Sequence, residues 1–165
     1  MPYLALTFFP LLMILPMATD LLTMKIPNWI SLALIVGNLL LSVAMGLPAH
    51  AIALNFSCGA AVFVLTAILF SLGWIGGGDA KLATATAVWI GWSSILDYGV
   101  AAALIGGLLG LAILFARSAP LPAFLAGQGW IARLHDSRSG IPYGVALAAA
   151  GLLQFPHTPI WAAAI

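Results

Sequence analysis

Five runs free of charged residues divide the chain: Met1–Thr19, Ile26–Gly78, Leu82–Leu96, Tyr98–Ala116 and Ser139–Ile165. A helix needs about 20 apolar residues to cross the hydrocarbon of a bilayer. The second run is long enough for two crossings, and Gly46-Leu47-Pro48-Ala49-His50 is the break between them. The pattern predicts six transmembrane helices, over roughly 3–20, 29–47, 51–73, 80–95, 98–116 and 141–160. The expected fold class is an all-α membrane protein, a polytopic six-helix bundle making one membrane-embedded domain over residues 1–165. The fourth run is the shortest, so a five-span arrangement in which it only dips into the membrane is the alternative. The first run lacks a basic start, and Asp20 follows it in place of a small-residue cleavage site. It reads as a retained helix rather than a signal peptide.

Composition agrees. The chain is 64% hydrophobic and 5% charged, where a soluble domain carries about 25% charged residues. Its mean hydropathy is +1.17. A net charge of +1 gives a nucleic-acid partner no electrostatic support. Cys58 is the one cysteine, which excludes an intramolecular disulfide and a cysteine zinc site. His50, His135 and His157 are dispersed without metal-ligand spacing, so no metal or other cofactor is expected.

The basic residues orient the bundle. With six spans, Lys25, Lys81, Arg117, Arg133 and Arg138 all fall on one side, leaving His50, Asp97 and His157 on the other. The positive-inside rule makes the basic side cytoplasmic and sends both termini outward. Trp29, Trp74, Trp92 and Trp161 fall near helix ends, as in an aromatic belt. The longest loop, Arg117 to Gly140, has a mixed apolar and basic middle, Phe124 to Leu134, suited to lying along the interface. Gly106-Gly107-Leu108-Leu109-Gly110 in the fifth span is a small-xxx-small pattern that predicts close helix packing within the monomer.

Two segments could carry chemistry. Asp20 precedes Lys25-Ile26-Pro27-Asn28, and Asp79 sits in Gly76-Gly77-Gly78-Asp79-Ala80-Lys81. Acids beside membrane spans are costly and mark function. The topology, fixed from basic residues and run lengths, brings both acids to the same depth on the cytoplasmic side. Close carboxylates share one proton and act as one unit, a base and an acid, able to activate water against a peptide carbonyl. The glycines permit backbone conformations that a side chain forbids, and could let an extended substrate lie close to Asp79. Asp79 is also placed to cap the fourth helix, which is the plainer reading of an aspartate there. Lys25 and Lys81 either orient the bundle by snorkelling or tune the acids and meet substrate carboxylates. Asp97 and Asp136 lie in turns and carry no such pattern.

At these residues the chain resembles the type IV prepilin peptidases, a family of membrane aspartic endopeptidases. Their pattern is an aspartate several residues before Ile-Pro-Asn or Ile-Pro-Asp, then Gly-x-Gly-Asp-x-Lys. Asp20 with Ile26-Pro27-Asn28, and Gly76 to Lys81, match it in order. Gly140-Ile141-Pro142-Tyr143-Gly144-Val145-Ala146 looks like the family's start of the last helix. The resemblance implies removal of a short basic leader from prepilins at the cytoplasmic face of the bacterial inner membrane, with Asp20 and Asp79 as the catalytic pair and no cofactor. It also implies a prepilin substrate bound at its leader and the start of its N-terminal helix, and association with pilus assembly machinery. Many members carry a cysteine-rich cytoplasmic segment near the start, and long members also methylate the new N-terminus. The first loop here has no room for such a segment, so the chain looks like the short CpaA/TadV-like branch tied to Flp pili, with methylation not carried over.

Three other readings compete. Presenilin-like proteases share Gly-x-Gly-Asp, but their other aspartate follows a tyrosine, where Thr19 stands here. An ion- or proton-coupled transporter would place its acids near the midplane, usually with inverted repeats. A non-catalytic membrane subunit of a pilus or secretion machine differs from the enzyme only in activity.

Overall fold

The computed structural model describes residues 2–165; Met1 lies outside the described residues. They form nine α-helices and one 3₁₀ turn, without a strand among them: α1 Pro2–Thr23, α2 Asn28–Ala44, α3 Ala49–Ser71, α4 Gly77–Ile90, α5 Ile95–Arg117, α6 Ala123–Ala126, α7 Gly129–His135, α8 Tyr143–Gln154 and α9 Pro159–Ala164, the 3₁₀ turn being Phe155–His157. Helices α1, α3 and α5 are long and apolar enough to cross a membrane.

Each long helix buries one stripe. In α1 it runs Ala5, Phe9, Met13, Pro16, Asp20, at steps of three and four residues. The aspartate thus continues the core face. In α5 the stripe is Tyr98, Ala102, Gly106, Gly110. Opposite faces carry exposed Leu11, Leu40, Phe63, Leu104, Leu108 and Leu111, a surface suited to lipid.

Helix α4 differs. It is buried almost all round from Leu82 to Ile90, and packs against α3, α2 and α8, with lesser contacts to α5 and α9. Its small residues, Ala80, Ala83, Ala85, Thr86 and Ala87, let these neighbours approach closely. On α3, Gly59 meets Val88 where a Cβ would collide with it. At the far end of α4 from Asp79, Trp89 packs among Phe8, Phe9 and Phe155, and its indole N–H donates to the Leu34 carbonyl over 2.9 Å.

Two helices depart from the boundaries expected from sequence. The fourth, expected over 80–95, occupies Gly77–Ile90. Two of the three glycines form its first turn. Gly91 ends it at φ 68°, with Asn55 Oδ1 only 2.7 Å from where a Cβ would be. At about 1.5 Å per residue, α4 is near 21 Å long. The last helix, expected over 141–160, breaks after Gln154. Pro159 removes a helix donor and holds Thr158 extended (φ −86°, ψ 152°), and the Thr158 hydroxyl then caps α9 by accepting from Trp161 N–H.

The glycine pattern of α5 works within the monomer, as expected. Gly106 receives the Tyr143 ring, whose hydroxyl donates to the Ala102 carbonyl over 3.1 Å, and a Cβ on Gly110 would lie 3.2 Å from Ile141.

Candidate functional site

Asp20 ends the buried stripe of α1 and is 6% exposed. Its carboxylate is held by the main chain: the Gly144 N–H donates to Asp20 Oδ2 over 2.8 Å. Gly144 is the second residue of α8, and first-turn amides have no partner within their own helix. One such amide meets the acid here, at the helix end whose dipole favours negative charge. Glycine is needed for the approach. A Cβ at position 144 would stand 2.8 Å from Asp20 Oδ2 and 2.6 Å from Ile26 Cδ1.

Asp79 is the third residue of α4 and not its cap. The cap position belongs to Gly76, in extended geometry (φ −73°, ψ 148°), because the helix starts earlier than its apolar run. Asp79 leans back over Gly76, where a Cβ would lie 2.9 Å from its Oδ2. The three glycines serve close approach rather than left-handed backbone. Gly76 faces Asp79, a Cβ on Gly77 would lie 3.3 Å from the Phe70 ring, and one on Gly78 would lie 3.2 Å from Ile26 Cβ. Ile26 thereby wedges between Gly78 of α4 and Gly144 of α8.

Asp20 and Asp79 line one cavity of about 360 Å³, with Met24, Lys25, Ile26, Gly76, Gly77 and Gly78. The walls thus come from the end of α1, the loop after it and the start of α4. Met24 takes the left-handed region at φ 55°, a strained conformation for its side chain. It reverses the chain between α1 and α2.

The remaining sequence-expected residues stand beside the cavity. Pro27 is the N-cap of α2, extended at ψ 135°. Lys81 Nζ donates to Asn28 Oδ1 over 2.9 Å, tying the start of α2 to α4. Lys81 and Asn28 therefore join the two motifs to each other, while Lys25 faces the cavity. Among the described residues no group of three His, Cys, Asp or Glu could hold a metal ion. Sequence reasoning gave Gly144 and Met24 no part in the site, and read Ile26 only as the start of the Ile-Pro-Asn motif. For Gly144 the available signal was Pro142-Tyr143-Gly144 opening a helix.

Residues 7–114 match the type IV leader peptidase family. The chain belongs to that family. It is 31% identical over 134 residues to the prepilin leader peptidase/N-methyltransferase of Aeromonas hydrophila, covering 70% of this chain and 43% of that protein. The protein of the same name from Aeromonas salmonicida (strain A449) is 30% identical over 132 residues, again 70% and 43%. The chain spans less than half the length of these curated relatives. No solved structure matches it. The leader peptidase match contains Asp20, the Ile26-Pro27-Asn28 turn and Asp79, and it ends ahead of Arg117 and Gly144.

Proposed function

We propose that the chain is a membrane aspartic endopeptidase that removes the short basic leader of type IV prepilins, of the Flp type, at the cytoplasmic face of the bacterial inner membrane. The observation that carries this reading is the shared cavity. Asp20 and Asp79, 59 positions apart by subtraction of their numbers, line it together in a chain of the leader peptidase family.

In this reading the two carboxylates act as one dyad. Like charges lining one cavity resist double ionisation, so the pair keeps one proton. The ionised member takes a proton from water as the oxygen attacks the scissile carbonyl. The protonated member gives its proton to the carbonyl oxygen. As the tetrahedral adduct collapses, the aspartate that took the water proton gives it to the leaving amine, and the other recovers its proton from the adduct hydroxyl, which restores the dyad. No cofactor takes part. Gly76, Gly77 and Gly78 leave the substrate backbone room beside Asp79. Lys25, at the cavity wall, meets substrate carboxylates or tunes the dyad. Pro27, Asn28 and Lys81 hold the wall in place.

The proposal includes the membrane arrangement: one domain, six crossings, both termini outside and all five basic residues on the cytoplasmic side. The basic asymmetry supports it. Both aspartates lie at helix ends on that side, where a leader peptide reaches them without entering the bilayer core. Only Met24 to Pro27 separate α1 from α2, which leaves no room for a cysteine-rich segment between them and supports the short branch, with leader cleavage as its activity.

Co-expression with a candidate prepilin, followed by sequencing of the mature N-terminus, tests the proposal. Cleavage after the basic leader is expected, and the same sequencing reads whether the new terminus is methylated. Normal processing by Asp20→Asn or Asp79→Asn would refute the dyad.

A further inference from the structure

Arg117 is read from sequence as an orienting charge, yet its side chain does more than snorkel. Its Nε–H donates to the Leu134 carbonyl over 2.7 Å, and its Nη2 donates to the carbonyls of Ser139 and Gly140 over 3.1 and 3.0 Å. One planar fork thus gathers three main-chain acceptors from the end of α7 and the stretch leading into α8.

That stretch continues along α5. Ile141 sits over Gly110, and Tyr143 enters the space at Gly106 and bonds the Ala102 carbonyl. The next residue, Gly144, turns its N–H to Asp20. Helix α5 therefore holds residues 139–143 at four points, Arg117, Gly110, Gly106 and Ala102.

We infer that Arg117 is a positioning residue for Asp20: its fork fixes residues 139–144 along α5, and through them the amide that orients the carboxylate. The consequence for turnover rests on the peptidase reading above; the mechanical coupling does not.

Arg117→Lys is the informative variant, because it keeps the charge that orients the bundle and loses the planar fork. Two readouts are taken on the full chain in detergent. The first is amide hydrogen exchange, with expected exchange over 139–146 at least about tenfold faster and exchange over 82–90 in α4 unchanged. The second is prepilin cleavage, with kcat expected to fall roughly 10- to 100-fold while KM stays within about twofold. Parental exchange over 139–146 overturns the inference. So does a raised KM at parental kcat, which would mean that Arg117 meets substrate.

Gly106→Ala presses on the same segment through Tyr143 and should give the same two signatures, which keeps the test intact if Arg117→Lys fails to insert. Gly107→Ala, with nothing described within 4 Å of its Cβ, should behave as parent. Parental behaviour of Gly106→Ala also overturns the inference. If no prepilin is cleaved but the exchange responds as stated, the positioning stands and the peptidase reading falls.

Discussion

The two aspartates are held in unlike ways. Asp20 is buried on a main-chain donor, whereas Asp79 lies in the first turn of α4 over a glycine. Asparagine keeps the shape of either side chain, and its amide oxygen can still accept from Gly144. Asp20→Asn and Asp79→Asn are therefore expected to insert normally and lose at least about a hundredfold in cleavage rate, measured on purified protein with a prepilin. Gly144→Ala drives a methyl against both Asp20 and Ile26. It should cost about 1–3 kcal/mol in SDS titration, as overpacking does, and abolish cleavage. Asn28→Ala removes an exposed bond to Lys81 and should cost only about 0.5–1.5 kcal/mol by the same titration.

Helix α4 answers to different constraints from the helices around it. Its neighbours bury one stripe each and expose apolar faces, but α4 is enclosed and so is rich in small residues, with Trp89 as its aromatic anchor. Trp89→Ala should cost about 3–5 kcal/mol in SDS titration, and Trp89→Phe clearly less, since the phenyl fills most of the space and forfeits the bond to Leu34. The same contrast explains what was legible. Helices α1, α2, α3 and α5 lie close to the charge-free runs, because charges, prolines and glycines end those runs. The ends of α4 and α8 were misplaced because tertiary features set them. Gly91 turns left-handed beside Asn55, and Thr158-Pro159 divides the last run. An uncharged run carries no mark of either.

Across the whole molecule, the basic asymmetry makes a direct prediction. Reporters fused after residue 48 and after residue 125 should report opposite sides of the membrane, and same-side reporting would refute six crossings. At this scale the candidate site was half legible. Acids beside apolar runs are conspicuous, so Asp20 and Asp79 could be found from sequence, and the Lys25 and Lys81 segments with them. The Gly144 amide was not, because a backbone donor has no side chain to announce it, and its acceptor lies 124 residues away. That separation has a consequence for timing. Both acids are synthesised well before the residue that orients one of them, so a growing chain carries an unfinished site until its last helices are made. Truncation after Pro120 should give an inserted but inactive protein, and supplying residues 121–165 as a separate piece should restore cleavage. On the proposed peptidase reading, such delayed completion would keep the growing chain from cutting its neighbours during its own synthesis.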